Sequence, residues 1–209
     1  MRLEYNSPTV LTFTLISTIL LVIQSFSPIE VMEYFTIYSY WDFANPLWYF
    51  RLFSHVLGHA DWNHLLGNFT FILLIGPILE EKYGSKDVLF MIIVTALVTG
   101  LLHIIIGSLF GEPNTLQGLT GASGIVFMMI LLSSIVNSKS GGIPMTFILV
   151  VALFLGKEVI TSVTTEDNIS QLAHIVGGIM GGMFGFYLRK ARAKEVQTAI
   201  DKANKKTGV

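Results

Sequence analysis

Six apolar runs divide this chain: residues 9–26, 63–80, 87–110, 121–137, 143–160 and 170–188. A bilayer's hydrocarbon core is about 30 Å thick and takes roughly 20 residues of helix to cross. Inside it the backbone must satisfy its own hydrogen bonds, so helix is the state such runs adopt. The pattern predicts an all-α membrane protein with six spans. The chain is 52% hydrophobic and only 13% charged, where soluble domains carry about 25% charged residues. The net charge of -1 gives no reason to expect a nucleic-acid partner, and the absence of cysteine excludes disulfide and thiolate chemistry. The first run is not taken as a cleaved leader: Arg2 is the only basic residue before it, no small-x-small site follows, and five more apolar runs come later.

Basic residues set the expected orientation. With the N-terminus in the cytoplasm, eleven of the thirteen Lys and Arg fall on inside segments, and only Arg51 and Lys157 fall outside. That bias predicts both termini inside. Residues 1–188 are expected to form the membrane domain, and 189–209 a basic cytoplasmic tail, a frayed helix or disordered, with solvation or anionic lipid as its surroundings. Between the first two spans, residues 27–62 are rich in aromatics, among them Trp41, Trp48 and Trp62, and are interrupted by Pro28 and Pro46. Trp and Tyr favour the headgroup zone, so a structured interfacial loop is expected there.

Polar groups inside a membrane are costly and therefore carry a functional prior. Ser123 stands where the glycine-rich GLTGASG passes into an apolar helix. A helix N-terminus offers unpaired N–H groups and the positive end of the dipole to an oxyanion formed beside that serine. The ordinary alternative for small residues at such a place is helix packing. In the last run Ala173, Gly177, Gly181 and Gly185 recur every four residues, a ridge that admits a neighbouring helix closely. His174 adjoins that ridge, either poised toward a serine or bonding a nearby carbonyl. His64 and Asn68 are four apart and share one helix face, as two donors aimed at one point or as interhelical links. No H-E-x-x-H is present and none of the five Asp residues lies in the middle of a run, so zinc and paired-aspartate chemistry find no pattern here. No metal or cofactor is expected. A transporter is disfavoured by the lack of repeated halves.

In order and spacing these residues resemble the rhomboid family of intramembrane serine proteases. Trp48 and Arg51 match its aromatic-plus-arginine element in the first loop. His59, His64 and Asn68 match H-x4-H-x3-N. Glu80 and Gly84 end the second span in the family manner. Gly121-Ala122-Ser123-Gly124 matches G-x-S-G, and Ala173, His174, Gly177 and Gly181 match A-H-x2-G-x3-G. The resemblance implies a six-span bundle with an interfacial first loop. It implies Ser123 as nucleophile, His174 as base, and an oxyanion hole from His64, Asn68 and the Ser123 N–H. Phe127 would lie against the catalytic imidazole, His59 would support the site, and Arg51 and Glu80 would be structural. Substrates would be transmembrane segments of other membrane proteins, entering laterally between spans two and five. The protein would reside in the bacterial plasma membrane, without cofactor. The rival function is a catalytically inactive relative that binds membrane clients. Glu158 and Asp167 belong to the outer end of span five and its loop, so no carboxylate completes a triad and a Ser–His dyad is expected. His103, mid-span, is expected to pack or to hydrogen-bond between helices.

Overall fold

Each apolar run becomes a helix, and the caps explain where the long ones begin and end. The computed structural model describes residues 4–110, 118–136, 143–156 and 168–207. Helix α1 is Pro8–Phe26, with proline in its first turn, where the missing N–H is no loss. After it come a one-turn helix α2 (Val31–Tyr34), a two-residue strand β1 (Ile37–Tyr38) and helix α3 (Pro46–Ser54). Asn45 caps α3, its side chain accepting from the Leu47 N–H at 3.0 Å. Helix α4 is Trp62–Tyr83, capped by Asp61, whose carboxylate accepts from the His64 N–H at 2.8 Å. Gly84, at φ 87°, then takes a left-handed turn that ends α4 and lets α5 (Ser85–Phe110) begin at once. Strand β2 (Gly118–Leu119) precedes α6 (Ser123–Val136). Helix α7 (Met145–Val150) passes into a π-helical turn at Val151–Leu155. Helix α8 is Asn168–Thr207.

By length and composition α1, α4, α5 and the 171–188 part of α8 are able to cross a membrane. Helix α6 covers the expected span over 121–137 as far as the described residues run, to Val136, its 14 residues rising about 21 Å. Ile125, Leu131 and Leu132 are fully buried, and Val126, Met128, Met129 and Ile135 nearly so. Helix α6 is thus the centre of the bundle, packed by α4, α5, α7 and α8. Helix α7 with its π turn is described as far as Gly156, and 157–160 of the expected span lie outside the described residues. Helix α8 runs unbroken through the expected boundary at 188, so the basic tail continues the last helix as far as Thr207.

The packing partners set the site's frame. Helix α8 lies along α6 and also meets α5, while α4 packs on α6 and α1. An ideal Cβ built on Gly177 or Gly181 would run into the backbone carbonyl oxygens of Gly124 and Met128 respectively. The ridge of small residues is thus what lets two backbones touch. At the opposite end of the bundle, Glu80 is buried at 4% exposure. Its carboxylate accepts from the N–H groups of Thr9 at 2.8 Å and Val10 at 3.0 Å. An acid on α4 thereby caps the start of α1, where the dipole favours an anion. Glu80→Ala leaves the buried Val10 N–H and the half-buried Thr9 N–H without this acceptor, and hydrogen bonds to charged groups contribute about 1.5–3 kcal/mol each. A clear drop in the denaturation midpoint in detergent is expected; an unchanged midpoint would show that the cap does not hold α1 to α4.

Candidate active site

The turn leading into α6 is built by its neighbours. Strand β2 pairs antiparallel with β1, Leu119 opposite Ile37 and Gly118 opposite Tyr38. The Gly121 N–H donates to the His55 carbonyl at 2.9 Å. The Thr120 hydroxyl reaches the carbonyls of Phe35 at 3.0 Å and His55 at 3.3 Å. The interfacial segment between α1 and α4 is therefore bonded directly to the residues that precede Ser123. That segment is braced in turn by Arg51, only 6% exposed. Its guanidinium donates twice to the Glu33 carbonyl and lies 5.3 Å from the centroid of the Tyr38 ring. Trp48, 4% exposed, donates its indole N–H to Tyr40 at 3.0 Å.

Gly121 has φ 118°, a conformation that side-chain-bearing residues rarely adopt. A Cβ there would stand 2.5 Å from the His64 imidazole and 3.7 Å from the Asn68 amide nitrogen. Both predicted oxyanion residues thus converge on the backbone two residues before Ser123. Ser123 is the first residue of α6, so its N–H is one of the unpaired donors of that terminus.

Across from it, the backbones of α6 and α8 meet at Gly124. An added Cβ there would lie 3.3 Å from the Ala173 carbonyl oxygen. Ser123 and His174 flank these two residues. The His174 ring stacks on Phe127, centroids 4.4 Å apart and planes 6° from parallel. Phe127 lies four residues after Ser123, one turn along the same stripe of α6. The imidazole is therefore held flat over the helix face that carries the serine. Phe127 also meets Phe154 of the π turn edge-on at 6.1 Å. Hydroxyl, imidazole and a pair of side-chain donors around one helix start make up the components of acyl transfer.

Sequence reasoning assigned His59 only a supporting place, and the structure specifies it. Its Nδ1 bonds the Leu57 carbonyl at 3.3 Å. Its Nε2 meets the Asn68 amide nitrogen at 3.1 Å and the Ala122 N–H at 3.4 Å. A neutral ring with its proton on Nδ1 satisfies all three contacts, since Nε2 then accepts from both donors. His59 thereby orients Asn68 and tethers the turn one residue ahead of Ser123. His55 belongs to the same network. It is 1% exposed, with Nδ1 3.1 Å from the Arg51 carbonyl, Nε2 3.4 Å from the Thr99 hydroxyl, and His103 near enough to repel its charge. The only sequence signal was the four-residue spacing of Arg51, His55 and His59. His103 is buried in α5, as a packing residue would be. Lys157, Glu158, Asp167 and residues 111–117 of the loop before β2 lie outside the described residues.

Burial is the main cause that lowers both His55 and His59 from 6.5 to about 4, with repulsion from His103 and His64 respectively adding to it. Both imidazoles stay neutral in the fold at pH values where an unfolded chain protonates them. The unfolded state therefore binds more protons between about pH 6.5 and 4, and stability is full above that window and lost as pH falls through it. The loss is roughly 3 kcal/mol for each histidine at the bottom of the window. Thermal midpoints in detergent should drop between pH 7 and 4.5, and less steeply in His59→Gln. A flat profile would mean that neither ring is buried neutral.

Four helices long and apolar enough to cross a bilayer, packed in one bundle, define a multi-pass membrane protein. The family model described as Rhomboid domain matches residues 46–191, and the chain belongs to the rhomboid family. It is 24% identical over 182 residues to Rhomboid-like protein 11, chloroplastic, of Arabidopsis thaliana, covering 81% of this chain and 62% of that protein. It is 33% identical over 149 residues to Rhomboid-related protein 1 of Caenorhabditis elegans, covering 65% of this chain and 39% of that protein. With Rhomboid protease GlpG of Haemophilus influenzae it shares 26% identity over 162 residues, covering 76% of this chain and 79% of that protein. The match thus spans less than two thirds of the plant and nematode proteins' own length.

Proposed function

We propose that this protein is an intramembrane serine endopeptidase. His174 accepts the Ser123 proton as the hydroxyl oxygen attacks a peptide carbonyl of a transmembrane substrate. The resulting oxyanion is held by His64, Asn68 and the Ser123 N–H. His174 returns the proton to the leaving amine, and a water, deprotonated by the same ring, releases the acyl group and restores the serine. The observation that carries this reading is the stacking of His174 on Phe127 beside the backbone crossing of α6 and α8, opposite the His64–Asn68 pair. Phe127 and helix packing take the orienting part that a carboxylate plays in a triad.

In this reading α1, α4, α5, α6, α7 and α8 make six crossings of a plasma membrane of bacterial type. Both termini face the cytoplasm, as the eleven-to-two bias of basic residues favours. Residues 1–188 form the protease unit and the basic remainder is a cytoplasmic extension. Substrate helices enter between α4 and α7. Gly67 of α4, next to Asn68, supports that route, since a Cβ there would meet nothing within 4 Å.

A fluorophosphonate probe tests the reading without knowledge of the substrate. The purified protein should be labelled, and Ser123→Ala should not. Equal labelling of both, or labelling of neither in any detergent or bilayer, would replace the protease by a client-binding relative.

A further inference from the structure

Away from the site, a cavity of about 410 Å³ opens between α1, the end of α3 and α5. Its walls include Phe13 and Ile16 of α1, Val56 and Leu57 of the interfacial segment, and Ile93 and Ala96 of α5. The lining is almost wholly apolar, and such a cavity does not hold water, which needs polar partners. Left empty, it would deprive its wall of contacts. Both flanking helices are of membrane-spanning length and turn apolar residues outward around it, with Leu15, Ile19 and Phe90 all exposed. The filler at hand in a bilayer is an acyl chain, and the volume lies within the range of about 300–1,000 Å³ usual for ligand sites. A basic side chain also precedes the cavity along α5. Lys86 is exposed and precedes the cavity residues Leu89 and Ile93 by three and seven positions, on one stripe of α5. Its flexible stem lets the ammonium meet a lipid phosphate. Asp87 points about 100° away around the same helix.

We propose that this cavity is a binding site for a bilayer phospholipid, one acyl chain filling it and the phosphate resting at Lys86. Its inner wall gives the site meaning. Val56 and Leu57 lie between His55, whose carbonyl holds the Gly121 turn, and His59, whose ring is held by the Leu57 carbonyl. A chain seated behind them supports the segment on which the turn before Ser123 hangs.

The test is read on full-length Ser123→Ala protein, so it stands apart from the protease reading. The protein is reconstituted in phosphatidylglycerol vesicles carrying a trace of the same lipid with a diazirine at the end of one acyl chain. It is then irradiated and mapped by mass spectrometry. Adducts are expected on Val56 and Leu57, which annular lipid does not reach. Ala96→Phe, which plugs the cavity, should abolish them and leave adducts on outward-facing Phe90. Where Ala96→Phe does not fold, Ile93→Trp at the mouth serves in its place. Lys86→Glu should lower the Val56–Leu57 yield. Adducts confined to Phe90 and its outward neighbours, or inner-wall adducts that persist in the plugged variants, would overturn the proposal. An unchanged yield in Lys86→Glu would overturn its headgroup half.

Discussion

Ser123→Ala and His174→Ala are each expected to slow cleavage of a transmembrane substrate by about 10⁴-fold or more, and the double variant to be no slower than either. In the proposed mechanism the two side chains make one unit: without the imidazole the hydroxyl keeps its proton, and without the hydroxyl the imidazole has none to accept. Each single change therefore removes the whole covalent route. Asn68→Ala is milder, about 10- to 1000-fold, because it removes one donor from the oxyanion and leaves His64 and the backbone N–H. Single-turnover rates in proteoliposomes, with denaturation midpoints as a check on folding, measure all four variants. A double variant slower than both singles by the product of their effects would mean that serine and histidine act independently.

The second large effect falls on stability. Gly177→Val is expected to cost about 3 kcal/mol or more, the upper range for overpacking, because what blocks its side chain is backbone and not a movable group. A Cβ at Gly177 would run into the Gly124 carbonyl oxygen. Helices α6 and α8 must then separate at the point where Ser123 and His174 flank the crossing, so activity should vanish along with stability. Gly182→Ala is the control: its Cβ would meet the Phe147 ring at 3.6 Å, an ordinary contact. Equal denaturation midpoints for the two variants would show that the backbone contact between α6 and α8 is not what holds the bundle at that point.

Much of this was readable in the chain. The four-residue ridge from Ala173 to Gly185 announced a close helix partner because only small residues permit backbone contact. The spacing of His64 and Asn68 announced a common face because the helix repeat brings them together. Other features were not readable, since they depend on which groups meet in space. The acceptor role of His59 depends on Ala122, 63 positions away. The grip of His55 on the turn runs through its carbonyl, which no side-chain pattern reports. The burial of α6 in the centre of the bundle is likewise something an apolar run alone does not distinguish from exposure to lipid. Helical continuation to Thr207, one of the two states expected for the tail, has a local cause: 189–207 are mostly Ala, Lys, Arg, Glu and Gln with neither glycine nor proline.

An experimental structure of the phosphonate-labelled protein would be the most direct measurement. It should show phosphorus bonded to the Ser123 oxygen, the phosphonyl oxygen between His64, Asn68 and the Ser123 N–H, and the His174 ring on Phe127 within hydrogen-bond reach of the adduct. A phosphonate on another residue, or an imidazole turned away from Ser123, would contradict the assignment of the two side chains to one reaction.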